Sequence, residues 1–308
     1  MRILVENAAI GATGSALAAF RAKRDLISRG CDLVFIDYAV NDNGEPLEQR
    51  QRSREGLVRQ LLAEERDVVF VHTYCQDMYA SMSRGEVPPS IQGLEEIAEH
   101  YAIGTVWMGL AAMREVAAGG MRWHEWLPDG LHPQYRGSFT YGKSVTDFLN
   151  RELRTEPSKK QIPFAKNLPA RLREKCWDKV SLLAWDKVKT EGPWSLRRWT
   201  TNVWMDQVLF TPSPGAKLSF DFNGRGLAFG FDFGKQSAEF RLRIDGGEWK
   251  ESVRDRPAWC GDNGWFRIYL AGDELGSGTH EVEIEVIHGN RPECTGSDFS
   301  LAFIGVME

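Results

Sequence analysis

Residues 32–43 read DLVFIDYAVNDN, and this stretch decides the fold. Leu33 to Ile36 form a continuous apolar run, the pattern of a strand covered on both faces. The run leads into a turn that displays a polar pair, Asn41 and Asp42. In parallel α/β sheets, ligands bind beyond the carboxyl ends of the strands, so the pair stands where a site would be. Asn also suits such a turn for its own sake, because it tolerates left-handed dihedrals.

Working outward, the first half of the chain alternates strand and helix. RILVENAA, VVFVHTYC and IGTVWMGL read as further strands. GSALAAFRAKRDLISRG reads as an amphipathic helix with Gly30 as its C-cap. SREGLVRQLLAEERD, SIQGLEEIAEHYA, GLAAMREVAAGG and GSFTYGKSVTDFLNREL also read as helices. Alternation at this spacing predicts a parallel α/β sheet. After about residue 155 the pattern breaks. RTEPSKKQIPFAKNLPARLREK is rich in Pro and Lys without a clean period, so residues 156–178 read as a linker or wrap-around segment. Beyond them, FRLRIDGG and HEVEIEVIHG alternate polar and apolar residues, and Asp245-Gly246-Gly247 is a hairpin signal. An all-β sandwich over residues 179–308 is expected. WDKV occurs at Trp177 and again at Trp185, as coincidence or as a hairpin pair.

The 308 residues exceed what one core usually holds, which agrees with two domains. A hydrophobic content of 42% and a charged content of 26% are ordinary for a globular protein. A net charge of −5 without a long basic run argues against nucleic acid or an anionic membrane surface as the main partner. No apolar stretch reaches the ~18 residues a membrane span needs. MRILVENAAIG is not a signal peptide, so the chain as written reads as cytoplasmic, or exported if a preceding segment carries a signal. Five cysteines at unrelated spacings give neither a disulfide framework nor a metal motif. Cys31 and Cys75 read as small core residues, and Cys260 and Cys294 as free thiols unless the protein is exported. No HExxH and no phosphate-cradling Gly loop occurs, so no metal or nucleotide cofactor is implied. Nothing in the sequence speaks to oligomeric state.

Candidate chemistry lies in WLPDGLHPQYRG, residues 126–137, where Asp129 and His132 are three apart. A carboxylate on the Nδ1 side of an imidazole fixes its tautomer and leaves Nε2 as a general base. An ordinary surface loop accounts for the two residues as well. His72 and Asp77 follow the third strand, and Trp123 and Trp126 precede the Asp–His loop. His72, Trp123 and Trp126 are candidates to wall a substrate cleft, against core packing as the plainer reading. In the second half Trp194, Trp199, Trp204, Trp249, Trp259 and Trp265 either fill the sandwich or face a glycan.

Taken together, these segments resemble the SGNH hydrolases, also called GDSL esterases, over residues 1–155. AVND resembles the block whose Asn donates to the oxyanion hole, which implies that role for Asn41. DGLHP, before a final helix, resembles the block of the catalytic Asp and His, which implies Asp129 and His132. NAAIGATGS resembles the block whose Gly N–H is a second oxyanion donor, with Gly11 and Ala12 as candidates. The resemblance implies a flavodoxin-like sheet and serine-hydrolase chemistry on an ester. With a β-sandwich attached it resembles carbohydrate esterases, which implies an acylated, most simply acetylated, glycan or another small ester as substrate. An acyltransferase to a sugar hydroxyl and a non-catalytic glycan-binding protein are the alternatives.

One block of the family is missing. Its first strand ends in Gly-Asp-Ser and carries the nucleophile, and the sequence has no such segment; Ser15 is a weak substitute. The sheet would lack that strand, leaving RILVENAA without its neighbour. Each unpaired buried backbone group costs about 1–3 kcal/mol. An internal start at Met1 is therefore the expectation, with a re-paired pseudoenzyme as the rival.

Overall fold

In a computed structural model covering residues 3–155, 167–202 and 204–308, the chain divides into two units, 1–178 and 179–308. Strand β1 (Leu33–Ile36) runs parallel to β2 (Asp67–Val71), with Val34 opposite Val68 and Ile36 opposite Phe70. β2 pairs in parallel with β3 (Gly104–Val106), giving the order β1-β2-β3. The helices are α1 (Ser15–Asp25), α2 (Leu47–Ala63), α3 (Tyr79–Ser83), α4 (Pro89–Tyr101), α5 (Met108–Ala117), α6 (Trp123–Trp126) and α7 (Tyr135–Glu152). Val34, Ile36, Val69 and Phe70 meet Leu57, Leu61, Ile97 and Tyr101 in one buried cluster. Because the strands are parallel, their carboxyl ends share one edge. The segments after Ile36, Val71 and Val106 all leave from it.

The expected strand RILVENAA is not a strand. Residues 3–8 carry no regular structure, and Leu4 and Val5 are 79% and 84% exposed. The apolar pattern is present, but a strand exists only through its ladder, and among the described residues β1 pairs with β2 alone. Beyond α7, residues 156–166 of the expected linker lie outside the described residues. Residues 167–178 lie against α2 and α4. Buried Glu55 accepts the N–H groups of Leu172 (2.6 Å) and Arg173 (2.8 Å) and the Tyr101 hydroxyl (2.6 Å). Arg59 joins Asp178 (3.0 Å) and the Pro169 carbonyl (2.8 Å). Trp177 is fully buried, with its backbone against Gly56.

The second unit is an antiparallel sandwich. Its strands are β4 (Val180–Leu182), β5 (Lys189–Glu191), β6 (Ser195–Arg198), β7 (Gln207–Thr211), β8 (Lys217–Asn223), β9 (Gly226–Phe233), β10 (Glu239–Ile244), β11 (Lys250–Glu251), β12 (Trp265–Gly272), β13 (Thr279–Ile287) and β14 (Phe299–Met307). One sheet has the order β11-β10-β13-β8-β5; the other has β12-β9-β14-β7-β6, with β4 on β14. The alternation is read out directly. Val282, Ile284 and Val286 of β13 are buried with Phe220 and Phe222 of β8 and Phe229, Phe231 and Phe233 of β9. The intervening Glu283 and Glu285 pair across the ladder with Arg243 and Arg241. Asp245 and Gly246, at φ 54° and 66°, make the hairpin turn. The two WDKV copies are coincidence: Trp177 belongs to the first unit, while Trp185 packs on the sandwich core. None of the five cysteines forms a disulfide; Cys31 and Cys75 are only half-buried. No helix among the described residues is long and apolar enough to cross a membrane.

Candidate active site

Asp129 and His132 sit on a loop whose shape follows from its sequence. α6 ends at Trp126, Pro128 follows, and Gly130 turns the chain at φ +81°. Asp129 Oδ1 then accepts the N–H groups of Leu131 (2.9 Å) and His132 (2.8 Å), while Oδ2 accepts from His132 Nδ1 at 2.8 Å. The His132 N–H, the imidazole and the Leu131 N–H hold the Asp129 carboxyl well below the usual carboxylate range. An ionised carboxylate only accepts, so Nδ1 carries a proton, and in the neutral imidazole the lone pair is then on Nε2. The imidazole side chain is 77% exposed. Trp126 anchors the loop from below: its carbonyl accepts the Gln134 N–H (2.9 Å), its indole N–H reaches Tyr141 Oη (3.1 Å), and its ring packs on Gly137.

A second His–Asp pair, His280 and Asp245 of the sandwich, shows what a structural histidine looks like here. Its Nδ1 lies 2.7 Å from Asp245 Oδ2 and its Nε2 lies 2.7 Å from the Gly276 carbonyl. Both nitrogens are engaged, so no base is left. His132 differs in keeping one free.

The polar pair that closes the β1 stretch divides. Asn41 is exposed in the turn. Asp42 is 1% exposed; its Oδ1 accepts the Ser15 N–H at 2.8 Å and its Oδ2 accepts Arg54 Nε at 2.7 Å. This role is absent from the sequence reading. Gly14, two residues after the Gly11–Ala12 turn, lies directly on the Asp42 carboxylate and near the Asn41 carbonyl. Both turn residues are exposed, and Ala12 holds φ 57°, a conformation that favours glycine. On the other side, Asn43 Nδ2 donates to Asp77 Oδ2 (3.4 Å), and the Gln76 side chain lies against Gly130 of the Asp–His loop. The segment 76–77 therefore touches both the Asn41 turn and the Asp129–His132 loop.

Three expected residues do not take the places given to them. Ser15 is buried, with its hydroxyl 2.6 Å from Ser53 Oγ, and is not presented to a substrate. His72 is fully buried, its Nε2 2.7 Å from Glu95 Oε1 and its ring edge-on to Trp107, so it lines no cleft. Trp126 is fully buried as well, and only Trp123 of the proposed wall is exposed. The described residues contain no group of three or more His, Cys, Asp or Glu that could hold a metal ion.

No protein-family model and no curated protein sequence matches the chain. Among solved structures, a two-domain esterase (CEX) active on acetylated mannans, co-crystallised with mannopentaose, matches at 21% identity and a TM-score of 0.78. That match covers 98% of this chain and 79% of the other. The chain shares the fold of a two-domain esterase. A second structure of that esterase matches at 20% identity and a TM-score of 0.79, over 97% of this chain and 79% of the other. Both the α/β unit and the antiparallel sandwich fall within the matched span.

Proposed function

We propose that the α/β unit is an SGNH-type ester hydrolase domain, flavodoxin-like in its sheet, that removes acyl groups, most simply acetyl, from a carbohydrate. The observation that carries this reading is the Asp129–His132 pair: an ionised carboxylate fixed by three hydrogen bonds, and an exposed imidazole with one free nitrogen. The fold shared with an esterase active on acetylated mannans supports the same chemistry.

In this reading His132 Nε2 takes the proton of a serine hydroxyl as its oxygen attacks the ester carbonyl. Asp129 stabilises the resulting imidazolium. The Asn41 amide and the N–H groups of the Gly11–Ala12 turn take the oxyanion. The imidazolium returns its proton to the departing sugar oxygen, and water deacylates the serine with His132 again as base. Ser15 is buried and is not the nucleophile of this reading. The same burial supports a second reading, a glycan-binding protein without turnover.

The test compares this chain with one extended upstream by a strand ending in Gly-Asp-Ser. Turnover of an acetylated manno-oligosaccharide by the longer chain, lost again in His132→Ala, supports the hydrolase. A longer chain that folds and stays inert refutes it.

A further inference from the structure

An aromatic corner stands next to the candidate site. Trp123, the first residue of α6, is 42% exposed, and Tyr79, the first residue of α3, is 51% exposed. Their rings meet edge to face, with centroids 6.0 Å apart and planes at 66°. Behind Trp123 lies a fixed floor. Trp126 stacks on it at 5.0 Å and 22°, and Tyr74 packs under both at 5.9 and 4.8 Å. Trp126 and Tyr74 are at most 1% exposed. The inner face of the Trp123 indole is therefore occupied, and its exposure belongs to the outer face.

The corner is continuous with the Asp–His loop by two routes. α6 runs into residues 127–132, and Tyr79 is three residues from Gln76, which lies against Gly130. Three residues of 3₁₀ backbone span about 6 Å. Exposed polar residues flank both rings in the sequence: His124 follows Trp123, and Asp77 precedes Tyr79 by two residues.

We propose that Trp123 and Tyr79 form a stacking platform for a pyranose unit of a neutral glycan, holding the sugar beside His132. This inference rests on the glycan-ester reading of the site and adds the residues that grip the sugar. A pyranose has an apolar C–H face and a hydroxyl edge, which matches a rigid indole face with polar residues next to it in the chain. A protein partner would bury about 800 Å² on each side, far more than two rings offer. Packing of Trp126 and Tyr74 beneath the platform pre-orders it, so binding loses little side-chain freedom.

The test measures binding and not turnover, so it is independent of the nucleophile. Mannopentaose is titrated calorimetrically into the present chain and into Trp123→Ala, Tyr79→Ala and Trp259→Ala. Trp259 is the 67% exposed tryptophan of the sandwich and serves as control. The expected result is millimolar or tighter binding by the parent, weakened about tenfold in each corner variant and unchanged in Trp259→Ala, as loss of one stacking contact implies. No binding by the parent, parent-like binding by both corner variants, or loss confined to Trp259→Ala would overturn the proposal. If the longer chain proves inert while Trp123→Ala still loses the sugar, the platform stands and the hydrolase falls.

Discussion

Asp42 and Arg54 form an ion pair that water barely reaches: Oδ2 lies 2.7 Å from Nε, and the side chains are 1% and 2% exposed. The pair joins three elements. Asp42 holds the first N–H of α1, and Arg54, on α2, also donates to the carbonyls of Tyr38 (2.9 Å) and Ser90 (3.2 Å). Each nitrogen of the guanidinium thereby has an acceptor, as a buried charge requires. Asp42→Ala strands the arginine and is expected to cost about 3–5 kcal/mol, read from urea unfolding. A cost below ~1 kcal/mol would show that the pair is not buried in solution.

The segment 167–178 is held to the first unit by close backbone packing. A Cβ at Gly56 would run into the Trp177 backbone, so Gly56→Ala should destabilise by about 1–3 kcal/mol. Trp177→Ala empties a fully buried site and should cost about 3–5 kcal/mol. Calorimetric melting with resolved unit transitions checks both. An effect confined to the transition of the sandwich would contradict the assignment of this segment.

His280 provides a pH signature for the sandwich. Its hydrogen bond with Asp245, and then that with the Gly276 carbonyl, raise its pKa above the ordinary histidine value. A folded-state pKa above the unfolded one contributes stability that is complete below the unfolded pKa and is lost as pH rises through the folded pKa. His280→Gln should therefore lower stability at pH 5 and have little effect well above neutrality. Equal losses at pH 5 and pH 9 would mean that the imidazole is neutral in the fold.

Much of the fold is legible in the sequence because burial leaves a period. The alternation of β13 specifies its faces without help from distant residues, whereas the apolar run at β1 predicts cover on both faces and Phe35 is 40% exposed. The run at residues 3–8 misleads for the same reason: local pattern records what a strand would bury, not whether a neighbour is there to pair with it. The ion pair was hidden because charged residues on a helix read as a solvated face. A signal did exist. Arg54 precedes Leu57, Val58 and Leu61 by three, four and seven residues, which puts it on the buried stripe of α2. In the site, the spacing of Asp129 and His132 leaves an ordinary surface loop open, and only the resemblance of DGLHP to a family block singles the pair out. Trp123 and Trp126 are equivalent in sequence, and only the packing of Tyr74 and Tyr141 decides which ring is covered.

The central proposal is that His132, positioned by Asp129, is a base whose serine partner is not among the candidate site residues. Mass spectrometry of the present chain after treatment with a serine-directed phosphonate tests it most directly. The account predicts no adduct, with turnover of aryl acetates no greater than a residual effect of roughly 10³–10⁴ over water. A stoichiometric adduct on Ser15, or on any other serine of the chain, would contradict it.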